Sequence, residues 1–121
     1  MPPGNKELDR LCAEYDVFLK ELQEVVNIAL RRMGRRIKFG GYAGHGRRAR
    51  LARALADFRG SLCVYSCYIA PRELVEHAVW LRVQLKKFGR RCPTIGRFER
   101  INKERLSAFE VSVRLLYGGR L

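Results

Sequence analysis

Apolar residues recur every three or four positions from residue 8 to residue 33, which is the spacing of one face of an α-helix. The members of this stripe are Leu8, Leu11, Cys12, Tyr15, Phe18, Leu19, Leu22, Val25, Val26, Ala29 and Met33. Asn5 precedes the stripe and is a good N-cap, because its side-chain oxygen can accept a hydrogen bond from a first-turn amide. The pattern predicts a long first helix that ends near Gly34 or Ile37.

A glycine-rich segment follows this helix. Residues 39–46 read FGGYAGHG, with four glycines in eight positions. Glycine adopts backbone conformations that other residues avoid, so this density predicts a flexible or unusually shaped loop. The segment is not a phosphate-binding P-loop, because it lacks the Gly-Lys-Ser/Thr ending and a preceding strand.

The next apolar stretch has two interpretations. Residues 61–69, SLCVYSCYI, have the β-branched and aromatic content of a buried strand. A helical stripe also runs through them without a break, formed by Leu51, Ala54, Leu55, Phe58, Leu62, Tyr65 and Ile69. We predict a helix, because a lone strand has no obvious partner elsewhere and Gly60 within a helix costs only about 1 kcal/mol.

Two shorter helices are predicted in the last third of the chain. Pro71 suits the first turn of a third helix, which Gly89 ends. Its buried stripe is Leu74, Ala78, Leu81, Leu85 and Phe88. A loop containing Pro93 and Gly96 follows, and Asn102 is the predicted N-cap of a fourth helix.

The fourth helix has the stripe Leu106, Phe109, Val113 and Leu116, with Gly118 as its predicted C-cap. Four helices with mostly short connections predict an all-α fold, a small antiparallel bundle that forms one domain over residues 1–121. In such a bundle the first-to-second and third-to-fourth connections share one end. We expect residues 1–5 and 34–50 to be flexible until a partner binds.

The chain is strongly basic, with 25 Lys and Arg against 12 Asp and Glu, a formal net charge of +13. This excess opposes compaction by self-repulsion unless an anionic partner is nearby. Residues 1–24 hold six acids and three bases, whereas the remaining residues hold 22 bases and six acids. We therefore predict that the first helix faces protein or solvent and that the rest of the chain faces a polyanion.

The densest basic cluster flanks the glycine-rich loop, with Asp57 as its single acid. Its members are Arg31, Arg32, Arg35, Arg36, Lys38, Arg47, Arg48, Arg50, Arg53 and Arg59. A second cluster contains Lys86, Lys87, Arg90, Arg91, Arg97, Arg100 and Lys103 around a loop that also offers Phe98. We predict that these residues, apart from Arg59 and Lys103, contact phosphates and that Tyr42 and His45 stack on unpaired bases. The alternative is a solvated face, but interleaved acids are missing.

The cysteines and histidines suggest no metal site or catalytic centre. Cys63 and Cys67 share a helical face and would begin a zinc or disulfide site, but no zinc-finger spacing is present. The remaining candidate ligands are Cys12, Cys92, His45 and His77. We predict buried free thiols, no metal and no cofactor, with His77 at the surface or the edge of the core. No nucleophile or carboxylate pair accompanies either histidine, so we predict a non-enzyme.

These patterns favour a structural RNA-binding subunit of a larger ribonucleoprotein, with RNA phosphates as the main partner and other subunits on the acidic first helix. Its size, helicity and charge are similar to those of ribosomal proteins, of small helical subunits of CRISPR surveillance complexes and of accessory ribonucleoprotein subunits, a likeness of class that identifies none of them. The alternative is a supernumerary subunit of a membrane-associated complex, with basic loops facing anionic lipid or acidic subunits. No run of 18 apolar residues and no targeting segment is found. We expect an intracellular chain in the cytoplasm or an organelle matrix.

Overall fold

Residues 5–39, 46–67 and 73–116 are described by a computed structural model, and over these residues it contains helices and no strand. The helices are α1 (Asn5–Phe39), α2 (Arg47–Cys67), α3 (Glu73–Gly89) and α4 (Pro93–Leu116). The predicted all-α fold with four helices is confirmed. The stretch from residue 61 is helical as far as Cys67, so the helical interpretation was correct over the described part.

Side-chain contacts show that α1 and α2 run antiparallel. Arg59 in α2 donates a hydrogen bond to Asn27 in α1 at 2.9 Å. One turn further along α2, the Cys63 Sγ lies 3.4 Å from the Gln23 Oε1, and Gln23 is one turn before Asn27 in α1. The α2 helix continues through Gly60 without a break, so the connection between the two helices lies at the C-terminal end of α1.

The same reasoning shows that α4 runs antiparallel to α1. Arg105 donates to Glu21 at 2.6 Å, and Arg32 donates to Thr94 at 3.0 Å. Later residues of α1 therefore lie against earlier residues of α4. The start of α4 and the end of α1 consequently share one end of the bundle.

The last helix pair is also antiparallel. Arg82 in α3 forms an ion pair with Glu110 in α4 at 3.3 Å, and Gly89 lies against Gly96 near the connection. The α1–α2 and α3–α4 connections thus lie at the same end, as predicted. The ring of Phe58 in α2 contacts the rings of Trp80 and Phe88 in α3, so these two helices also touch.

The core is made mainly of the predicted stripes, with Val75, Cys92, Ile95 and Phe98 as buried residues outside them. Tyr15 is fully buried and lies edge-on to Phe109, with 5.3 Å between ring centroids. The largest fully buried side chains are Tyr15, Phe18, Leu19, Leu22, Val26, Leu55, Leu62, Leu74, Leu81, Leu85, Ile95 and Val113. Ala54 departs from the prediction, since it is exposed although it belongs to the α2 stripe.

The fourth helix begins ten residues earlier than predicted, at Pro93 rather than after Asn102. Proline fits the first helical position because its missing N–H has no partner there, and the Gly96 amide donates to the Cys92 carbonyl at 2.9 Å. Gly96 is a contact residue, not a loop residue. Asn102 lies within α4 and donates to the Phe98 carbonyl at 3.0 Å instead of capping a helix.

Other predictions concern where the helices begin and end and which segments are flexible. The first helix continues past Gly34 and Ile37 to Phe39. The predicted helix start at Pro71, the C-cap at Gly118 and residues 68–69 lie outside the described residues. Residues 34–39 belong to α1 and 47–50 to α2, while their ordering upon binding stays a prediction.

His77 is almost fully buried and lines a surface pocket together with Ser61, Glu73, Glu76 and Trp80, so it lies at the edge of the core, one of the two positions predicted from the sequence. It is 5% exposed, and the Tyr15 hydroxyl donates a hydrogen bond to its Nδ1 at 2.5 Å. Burial lowers the pKa of His77 from 6.5 to about 4. The ring is therefore neutral at pH 7, and its partner comes from a helix 62 positions away in the sequence.

Candidate nucleic-acid interface

The antiparallel arrangement gathers most of the basic residues at one end of the bundle. We define the basic end as residues 28–39, 46–56 and 86–100, which hold fifteen Lys and Arg against one acid, Glu99. The acidic end consists of residues 5–27, 57–67, 73–85 and 101–116, which hold eight bases against eleven acids. The net charges are +14 and −3, so the two ends of the bundle have opposite sign.

Ion pairing reinforces this contrast. Pairs within α1 join Arg10 to Glu7 and Glu14, and Lys20 to Asp16. The pairs between helices, Arg105 with Glu21 and Arg82 with Glu110, also involve acidic-end residues. At the basic end, by contrast, no carboxylate among the described residues lies within ion-pair distance of Arg47, Arg48 or Arg91.

The predicted contact residues are exposed wherever their side chains are described. These exposed residues are Arg31, Arg32, Arg47, Arg48, Arg50, Arg53, Lys86, Lys87, Arg90, Arg91, Arg97 and Arg100. Arg35, Arg36 and Lys38 lie in the last part of α1, and nothing is described of their side chains. Tyr42 and His45 fall between α1 and α2, outside the described residues.

A step in the bundle brings the two basic clusters together. Arg32 contacts Thr94, the second residue of α4, whereas α1 continues from Arg32 to Phe39. Those seven further residues extend about 10 Å at 1.5 Å per residue. The α1–α2 hairpin therefore projects beyond the α3–α4 turn.

A cleft lies at this step, with a volume of about 640 Å³. Its lining residues are Arg47, Arg48, Arg50, Leu51 and Arg91. Four guanidinium groups from α2 and the α3–α4 turn thus surround one concavity. Mutual repulsion between like charges is reduced when an anion occupies such a cleft, which makes it a phosphate-binding candidate.

Helix orientation adds to the positive potential. The two helices that start at the basic end, α2 and α4, have no acidic residue in their first turn. The two that start at the acidic end have Glu7 in α1, and Glu73 and Glu76 in α3. Acidic side chains near a helix N-terminus neutralise its partial positive charge. At the basic end this neutralisation is missing from the first turns of α2 and α4.

The second basic cluster is organised differently from the prediction. Arg97 and Arg100 project from α4, not from a loop, and Phe98 is 9% exposed and contacts the ring of Phe18. Phe98 is therefore not available for stacking on bases. The loop itself is a tight turn in which the Arg91 and Cys92 amides both donate to the Phe88 carbonyl, at 3.1 and 2.9 Å.

No protein-family model, curated protein or solved structure matches this chain. Over the residues described, none of the helices is both long and apolar enough to cross a lipid bilayer.

The described residues contain no group of three His, Cys, Asp or Glu side chains arranged to hold a metal ion. Cys12 is half-buried, Cys92 is buried and Cys63 is exposed, so the prediction of buried thiols is wrong for Cys63. The reason is that Cys63 lies beside the α2 stripe and faces Gln23. The side chain of Cys67 is not described.

Proposed function

We propose that this chain is a non-catalytic RNA-binding subunit of a larger ribonucleoprotein, which contacts RNA phosphates through its basic end. The separation of +14 from −3 along the bundle is the observation that carries the proposal. Even mixing of charges would give ordinary solubility, whereas one-sided charge costs stability through self-repulsion. A polyanion at the basic end offsets that cost.

The type of cation favours phosphate as the ligand. Twelve of the fifteen bases at the basic end are Arg and three are Lys. A guanidinium group is planar and forked, and it can hold two oxygens of one phosphate at once. Arginines lining a concave cleft also suit a flexible phosphate chain better than the flat surface of a membrane. These features favour RNA over the alternative of anionic lipid headgroups.

Duplex DNA reading by a helix-turn-helix is less consistent with the geometry. The short turn between α3 and α4 is the natural candidate for such a motif. Helix-turn-helix pairs cross at about 90–120°, but α3 and α4 run antiparallel, with contacts at both Gly89–Gly96 and Arg82–Glu110. Neither helix is therefore free to enter a major groove as a recognition helix.

The acidic end is the proposed contact for neighbouring subunits. Its exposed apolar residues include Val17 in α1, at 51% exposure, and Leu115 in α4, at 76%. A protein surface that combines exposed apolar side chains with acids is more suitable for protein contacts than for a second polyanion. The two ends would thus give the subunit a phosphate-facing side and a protein-facing side.

Charge reversal at the cleft tests the proposal. Arg47→Glu with Arg48→Glu should abolish detectable binding to a mixed-sequence RNA in a fluorescence anisotropy titration, without lowering helix content by circular dichroism. The matched control is Lys6→Glu with Arg114→Glu, which makes the same charge change at exposed sites of the acidic end. Equal effects of the two double variants would show that net charge alone, and not the basic end, governs binding.

A further inference from the structure

A second concavity, with a volume of about 590 Å³, lies between α2 and α3 and adjoins the arginine cleft through Arg50, Leu51 and Arg91. Five cationic side chains line it, and no acid does. They are Arg50, Lys86, Lys87, Arg90 and Arg91. The rim of this groove therefore has a charge of +5 and continues the candidate phosphate-binding surface.

The rest of the lining is apolar. Leu51 is half-buried, Ala54 is exposed and Val83 is 54% exposed, with the nearly buried Phe88 beneath. Helical spacing explains the arrangement, because Arg50, Leu51 and Ala54 share one face of α2. On α3, Val83 lies three and four residues before the two lysines and shares their face. Each helix thus contributes both cations and apolar surface to the groove.

A ligand that complements this groove is anionic and also has an apolar surface to bury. Unpaired nucleotides combine a charged phosphate with a flat base, whose exposed face can be covered by apolar side chains as well as by the aromatic rings and Arg guanidinium planes that are commonly used. In a duplex the base faces are stacked on one another inside the helix. The duplex presents phosphates and sugar edges, which can meet the cations but cannot cover Leu51, Ala54 and Val83.

We infer that the groove between α2 and α3 binds a single-stranded segment of RNA. An unpaired base lies on Leu51, Ala54 and Val83, and the flanking phosphates contact the cationic rim. A volume of about 590 Å³ is within the range of about 300–1,000 Å³ typical of small-ligand pockets, which is ample for one nucleotide. This inference rests on the proposed function and specifies its ligand.

The test removes the apolar floor without changing charge. Ala54→Asn with Val83→Asn alters the groove, and Val64→Asn with Val111→Asn makes a matched change at exposed sites elsewhere, at 71% and 55% exposure. The full chain is titrated with a 12-nucleotide RNA that does not self-pair and with a blunt 12-base-pair RNA duplex at the same ionic strength. Thermal melts followed by circular dichroism establish that each variant is folded.

We expect the groove variant to bind the single strand about fivefold more weakly, because two polar side chains replace apolar surface that the base would bury. Its affinity for the duplex should not change, and the control variant should behave as wild type. A 2-aminopurine in the single strand is quenched by its neighbouring bases, so its fluorescence should rise when the wild-type chain moves it out of the base stack onto the aliphatic floor, and should rise less with the groove variant.

Three outcomes would overturn the inference. Equal weakening for both RNAs, or no weakening for either, would show that the apolar floor does not contact a base, while the proposed phosphate binding would stand. Failure of the wild-type chain to bind either RNA would refute the proposed function together with the inference. Binding to phosphatidylserine vesicles that the groove variant weakens, without RNA binding, would assign the groove to anionic lipid.

Discussion

Acidification should destabilise this protein through the buried imidazole of His77. The Tyr15 hydroxyl donates a hydrogen bond to Nδ1 of this ring. The Trp80 ring also contacts it, with 5.2 Å between the two ring centroids. Burial raises the pKa of the Tyr15 hydroxyl above its ordinary value, with the charge of Glu110 as a second cause, so the hydroxyl stays protonated. It can donate to Nδ1 only while the ring is neutral, because a protonated ring has a hydrogen on both nitrogens. Glu73 and Glu76 line the same surface pocket as the ring.

The direction of the effect follows from the two pKa values. In the unfolded chain His77 takes up a proton near pH 6.5, whereas burial delays protonation in the folded chain until about pH 4. Between these values the unfolded state binds more protons, so the free energy of unfolding falls as the pH falls. At about 1.4 kcal/mol per pH unit, the full interval corresponds to about 3 kcal/mol. That is a large share of the roughly 5–15 kcal/mol typical of a folded domain.

Urea unfolding at pH 7.5, 6.5, 5.5 and 4.5, followed by circular dichroism, measures this loss. His77→Gln keeps a neutral hydrogen-bonding side chain and should flatten the pH dependence by about 3 kcal/mol, while His45→Gln, at the other histidine, should leave it unchanged. If wild type and the His77 variant lose stability in parallel, protonation of this ring is not the cause.

Two further predictions concern helix packing and phosphate contacts. A Cβ at Gly96 would lie 2.8 Å from the Gly89 carbonyl oxygen, so Gly96→Ala should cost about 1–3 kcal/mol by urea unfolding. Gly60→Ala meets open space within α2 and should stabilise by about 1 kcal/mol; equal effects at the two sites would contradict the close approach. Arg47→Gln with Arg48→Gln should reduce the slope of log affinity for single-stranded RNA against log salt by about 1.4, measured from 50 to 200 mM salt. An unchanged slope would place phosphates elsewhere.

The helices and their shared end were predictable because they depend on local periodicity and connectivity. Each apolar stripe specifies one helical face, and alternation of direction in a short-linked bundle places both basic connections together. The exposed arginines were found in the same way, since charge density is a property of the sequence. The cleft lined by Arg47, Arg48 and Arg91 was not predictable in this way, because it also depends on how far α1 extends beyond its contact with Thr94.

Features that depend on contacts between distant residues were not predictable. Pro93 and Gly96 were interpreted as loop residues, because the sequence does not show that Gly89 approaches Gly96 closely enough to require glycine there. The hydrogen bond between His77 and Tyr15 was not predicted, because the two residues are 62 positions apart. The apolar floor was missed since Val83 lies outside the α3 stripe, although its spacing from Lys86 and Lys87 was a signal for a shared face.

The most direct test of the central claim is sedimentation of the tagged protein from native lysate, with and without ribonuclease. We predict that the protein sediments with a large particle and moves to light fractions when RNA is digested. The Arg47→Glu and Arg48→Glu double variant should sediment as a light species even without digestion. Continued sedimentation in a large complex after ribonuclease treatment in high salt, which exposes shielded RNA, would contradict the account.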